Sequence, residues 1–76
     1  MKELLRDIAA ALVDDPAGIS INEKQSADGT LIFELTVAKD DMGKVIGKRG
    51  RIAKSIRSVM KAAATKTGQK INIDIV

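Results

Sequence analysis

The spacing of apolar residues changes period three times along this chain, and those changes restrict the order of elements more tightly than any single motif. Leu4, Leu5, Ile8 and Leu12 recur at helical spacing and form one apolar stripe. Asp14-Asp15-Pro16 followed by Gly18 ends that helix, because proline cannot continue it. Ile19 and Ile21 then alternate with Ser20 and Asn22, and Leu31, Phe33, Leu35 and Val37 alternate with Glu34 and Thr36. Between the two runs Ser26-Ala27-Asp28-Gly29 reads as a turn, so the pair predicts an antiparallel hairpin. Helical spacing returns with Ile52, Ile56, Val59, Met60 and Ala63, expected on the buried side of a helix from about Arg51 to Thr67 that Gly68 closes. Ile71, Ile73 and Ile75 alternate once more, with Asn72 and Asp74 between them. Asp40 or Asp41 is expected to cap a short helix over Met42 to Ile46, which Gly47 and Gly50 interrupt.

The predicted order is therefore α-β-β-α-α-β, an α+β domain spanning residues 1–76 without linker or repeat. The second and third strands are joined by a helical crossover. That predicts a three-stranded mixed sheet, and a right-handed crossover places the helices on one face.

Residue inventory removes several functions. The chain has no histidine and no cysteine, which excludes a Ser-His-Asp triad, a Cys-His nucleophile and the usual zinc sites. Seventy-six residues leave little room for an enclosed catalytic cavity. Asp40 and Asp41 are adjacent before a helix, where a cap is a simpler role than an acid-base pair. Neither enzyme activity, nor a cofactor, nor a bound metal is expected. No stretch approaches the roughly 18 apolar residues of a membrane span. The start, Met-Lys-Glu-Leu-Leu-Arg-Asp, carries acids where a signal peptide would not. A cytoplasmic protein without membrane association is the expectation.

Charge is divided along the chain. Residues 1–41 hold nine acids against four basic residues, a balance of −5, and residues 42–76 hold nine basic residues against Asp74 alone, a balance of +8. By itself this fits either an anionic partner for the second half or a solvated charged face. On a helical wheel Arg51, Lys54, Arg57 and Lys61 form a stripe away from the apolar side, and it continues from Lys48 and Arg49.

The segment Gly47-Lys48-Arg49-Gly50 is where the chemistry concentrates. Two glycines three apart permit a tight reversal and close approach of a sugar-phosphate backbone. The amides that open the following helix lie at the positive end of its dipole, and Lys48 and Arg49 add two full charges there. A phosphate diester suits this arrangement, although a plain glycine turn between helices has the same spacing. A P-loop does not fit, because Gly43 and Gly47 are separated by three residues and Arg49 stands where Ser or Thr would hold magnesium. Phe33 is the only aromatic, and the strand pattern buries it, so base stacking on exposed rings is excluded.

Val45-Ile46-Gly47-Lys48-Arg49-Gly50, in this element order, resembles the GXXG signature of KH domains of the type II, bacterial arrangement. The whole chain is similar to the KhpA family of small stand-alone bacterial KH proteins. The resemblance implies a non-enzymatic module that holds about four nucleotides of single-stranded RNA. It implies phosphate binding by Lys48 and Arg49, close approach at Gly47 and Gly50, and an apolar groove wall of Val45, Ile46 and Ile52. Arg51, Lys54 and Arg57 would extend the positive track, and the turn at Ser26 to Thr30 would serve as the variable loop. Ala53 stands where many KH domains carry a larger aliphatic residue, which predicts a shallower base pocket. The resemblance further implies RNA chaperone or post-transcriptional work with a larger KH-containing partner (KhpB, also called Jag or EloR) and an influence on cell elongation and envelope synthesis. A homodimer or such a heteromer is expected, with Val45, Ile46 and Ile52 as the candidate contact. The alternative is a dimerisation subunit with a KH fold and little RNA binding of its own, against which the retained Gly-Lys-Arg-Gly loop argues.

Overall fold

The computed structural model describes residues 1–76. Helix α1 runs Lys2–Leu12 and stops as Val13 turns extended, three residues before Pro16. One 3-10 turn at Pro16–Gly18 leads into β1, Ser20–Gln25, which pairs antiparallel with β2, Leu31–Thr36. A 3-10 turn at Lys39–Asp41 opens α2, Met42–Ile46; the glycine loop follows, then α3, Arg51–Lys66, and β3, Ile71–Ile75. The sheet order is β1-β2-β3, with β2 and β3 parallel. This is the α+β, three-stranded mixed architecture that the apolar periods predict.

Alternation within the strands decides what is buried. Ile21, Phe33, Leu35, Ile71 and Ile73 point to one face of the sheet, where Leu5 and Ala9 of α1, Val45 of α2, and Ile56, Met60 and Ala64 of α3 close over them. Phe33 is 1% exposed at the centre of β2. Each large side chain enclosed this way contributes roughly 1.5–3 kcal/mol. The opposite face carries Asn22, Lys24, Glu34 and Asp74; there Glu34 accepts hydrogen bonds from Asn22 Nδ2 at 3.0 Å and Lys24 Nζ at 3.3 Å.

Two expectations are corrected. The buried line of α3 is Ala53, Ile56, Met60 and Ala64, whereas Val59 is 51% exposed. At about 100° per residue, the two alanines lie on the side that approaches the core, and Val59 falls beyond its edge. The buried arc thus runs through two alanines as well as Ile56 and Met60, where counting large apolar residues had pointed to Val59. Ala53 is 4% exposed and belongs to this buried arc.

Asp41 precedes α2 but makes no side-chain cap bond. Its carboxylate is buried and reaches across to the α1–β1 connection, accepting the amides of Asp14 at 3.2 Å and Asp15 at 3.1 Å. Lys44 Nζ donates to the same carboxylate at 3.3 Å and also bonds Asp14. Burial works against the charge on Asp41, but the two amides and the Lys44 ammonium outweigh it and hold the carboxyl below its usual range. The Asp14 and Asp41 carboxylates in turn raise the pKa of Lys44. This network ties the start of α2 to the rest of the molecule, one short helix away from the glycine loop.

Candidate nucleic-acid interface

The glycine loop owes its shape to three residues with positive φ. Gly47 adopts φ 73°, ψ 175°, a region open almost only to glycine. Arg49 is left-handed at φ 57°, ψ 25°, the one non-glycine residue of the chain with positive φ, and Gly50 follows at φ 72°, ψ 17°. Space is the second constraint at Gly47, since a Cβ there would lie 2.6 Å from Ile52 Cγ1. At Gly50 an added Cβ would meet nothing within 4 Å, so that side of the loop is open to a ligand. The reversal turns Lys48 and Arg49 outward, both exposed. No side chain caps the start of α3, which leaves the positive end of a 16-residue helix facing the same space.

The remaining predicted residues distribute as follows. Arg51 and Lys54 are exposed on α3 and continue the charge of the loop, as does Lys61. Arg57 is half-buried and folds toward the sheet, where its Nε donates to the carbonyl of Ile73 in β3 at 3.1 Å. Ile46 is 37% exposed beside the loop, and Ile52 lies half-buried against Gly47. Val45 is 0% exposed and is corrected from groove wall to core. On the five-residue α2 only one face can reach the sheet, and Val45 occupies it. Lys44 adds little to the positive track because two carboxylates hold it.

Helix α3 packs beside β3, whose outer edge is unpaired and is reached by Arg57. Where the C-terminal part of α3 meets the start of β3 there is a cleft, a polar hollow lined by Thr30, Lys61, Thr65, Gln69, Lys70 and Asn72. A neighbouring hollow brings Gly68, Gln69 and Lys70 of the α3–β3 connection beside Asp28 and Gly29 of the turn between β1 and β2. Sequence reasoning missed Thr65, Gln69, Lys70 and Asn72, whose proximity depends on where a crossover helix delivers the chain. Strand alternation after Gly68 marks only Asn72, one step from the buried Ile71 and Ile73, as turned out of the core.

A second feature is apolar. Ile8, Ala11 and Leu12 of α1 and Ile52, Ile56 and Val59 of α3 line an open groove between the two helices. No helix is long and apolar enough to cross a membrane.

The family model for the KhpA/KhpB KH domain matches residues 2–75. The chain belongs to the KhpA/KhpB KH-domain family. RNA-binding protein KhpA of Clostridium perfringens is 51% identical over 76 residues, covering all of both chains. RNA-binding protein KhpA of Clostridium acetobutylicum is 50% identical, again over the full length of both. Among solved structures, Era in complex with MgGDPNP and nucleotides 1506–1542 of 16S ribosomal RNA superposes with a TM-score of 0.57 at 22% identity, covering 96% of this chain and 28% of that one. At that identity the likeness to Era concerns the fold. KhpA/KhpB domains are non-enzymatic, in keeping with the missing histidine and cysteine.

Proposed function

We propose that this KH domain binds single-stranded RNA in the α3–β3 cleft, with the Gly47–Gly50 loop gripping the phosphodiester backbone. The observation that carries the reading is the meeting of Lys48 and Arg49 with an uncapped helix start across an open glycine. The name RNA-binding protein KhpA, borne by full-length relatives at about half identity, supports it. The sheet's open face, with Glu34 and Asp74 side by side, would repel phosphate. In the cell we place the domain in the cytoplasm, as an RNA chaperone or post-transcriptional regulator acting with a larger KhpB-like partner and influencing cell elongation and envelope synthesis.

Salt dependence tests the electrostatic part. Contacts to three or four phosphates from the loop and α3 predict a log-log slope of roughly −2 to −3 for single strands. Single-stranded RNA should also outcompete duplex of equal length, because the cleft needs unpaired bases. Salt-independent affinity in a filter-binding titration contradicts the track.

Self-association is a second role, compatible with the first. Val45 is buried, so the loop-side contact expected from the sequence gives way to the α1–α3 groove, where Val59 is half exposed among apolar neighbours. A second copy pairing there would cover Val59 and raise avidity for longer RNA. Sedimentation equilibrium at micromolar concentration is expected to show dimer for the natural chain and monomer for Val59→Asp. A strict monomer in both removes assembly from the reading.

A further inference from the structure

The contact between Arg57 and Ile73 has a direction that a plain phosphate-binding arginine would lack. Lys70 O accepts from Leu31 N at 2.9 Å and Val76 N donates to Leu35 O at 2.9 Å, so the backbone of even-numbered residues in this stretch faces β2. The backbone groups of Ile71, Ile73 and Ile75 consequently face the free edge of β3 and the cleft. Arg57 Nε bonds one of them, the Ile73 carbonyl. That bond uses one of the five guanidinium donors and tethers the group to the free edge of β3. No carboxylate of the chain lies within ion-pair distance of Arg57, and no other acceptor takes a hydrogen bond from it. Half-buried, tethered to backbone and without an acid, the Nη fork is left for a ligand in the cleft.

We propose that Arg57 is a base-reading residue, selecting at one position a base that presents two adjacent acceptors to the Nη fork. Cytosine offers O2 and N3 on its Watson–Crick edge, and guanine offers O6 and N7 on its Hoogsteen edge. Adenine and uracil alternate donors with acceptors and can meet only one arm of the fork. Lys54 and Lys61 flank Arg57 on α3 and supply charge without direction, so the phosphate track persists when the fork is removed. This inference rests on the proposed RNA-binding function and assigns its specificity.

Short single-stranded RNAs test it: a uridine tract, the same tract with one central cytidine, and the same with one central guanosine, each titrated against the natural chain, Arg57→Lys and Arg57→Gln. The cytidine or the guanosine RNA should bind the natural chain about tenfold more tightly than the uridine tract, and which of the two does so names the base. Arg57→Lys should retain affinity for the uridine tract within about threefold and lose the preference; Arg57→Gln should lose it as well. A preference that survives both substitutions, or none in the natural chain, overturns the inference while leaving RNA binding in place. Binding of no RNA by any variant overturns both this inference and the proposed function.

Discussion

Replacing Lys48 and Arg49 together by Asp is expected to lower RNA affinity by more than about a hundredfold while leaving the fold intact. Two charge-assisted phosphate contacts are lost at about 1.5–3 kcal/mol each, and two negative charges then face the phosphate. The fold feels the opposite sign. Arg49 sits in the left-handed region, which Asp tolerates better than most residues. Position 48 lies just before α3, where an acid complements the helix dipole. Both side chains are exposed, so no core contact disappears. Thermal unfolding should therefore be unchanged or slightly higher, and filter binding should collapse. Unchanged affinity in the double variant removes the loop from the proposed interface.

Gly47→Ala is expected to produce the largest loss of stability among changes confined to the loop. Its backbone region costs a non-glycine residue about 1–3 kcal/mol, and the new Cβ would stand 2.6 Å from Ile52 Cγ1. Ile52 is β-branched and stiff at χ1, so it cannot swing aside at low cost. We expect about 2–4 kcal/mol of destabilisation in urea unfolding from strain and overpacking together, or a displaced loop that no longer binds. Gly50→Ala meets open space and should cost only about 1 kcal/mol, from its left-handed φ. Adding Ile52→Ala to Gly47→Ala should relieve the 2.6 Å contact but leave the Cβ contact at 3.0 Å and the backbone strain, and it adds the loss of the isoleucine's own packing. Equal costs at the two glycines would show that Ile52 does not buttress the loop.

The difference between the two glycines was not visible in the sequence, where both stand as members of one motif. Their spacing announced a tight reversal, but the steric role of Ile52 depends on how α3 leaves the loop. The same limit explains the other misreadings. Apolar period located α3 correctly yet assigned Val59 to the core, because ranking residues by apolar size passes over Ala53 and Ala64, which are buried, in favour of Val59, which lies past the edge of the buried arc. Val45 and Ile46 are neighbours in the motif, but a five-residue helix buries one and exposes the other. Asp41 was legible as a polar residue before a helix; its bonds to Asp14 and Asp15 span more than 25 positions of sequence and belong to tertiary structure. Element order, the β1–β2 hairpin, the burial of Phe33 and the exposure of Lys48, Arg49, Arg51 and Lys54 were readable from local period and charge, and the mixed pairing from the helical crossover. The order of strands in the sheet was not.

The central claim is that a single strand of RNA lies between the glycine loop and the α3–β3 cleft, and amide chemical-shift mapping with a short single-stranded RNA tests it most directly. Gly47 through Arg51 should shift first and most, followed by residues lining the cleft around Arg57, Ile73 and Gln69. Asn22 and Glu34 on the open sheet face should stay still. Shifts centred on that open face, or a loop unmoved at saturating RNA, would contradict the account.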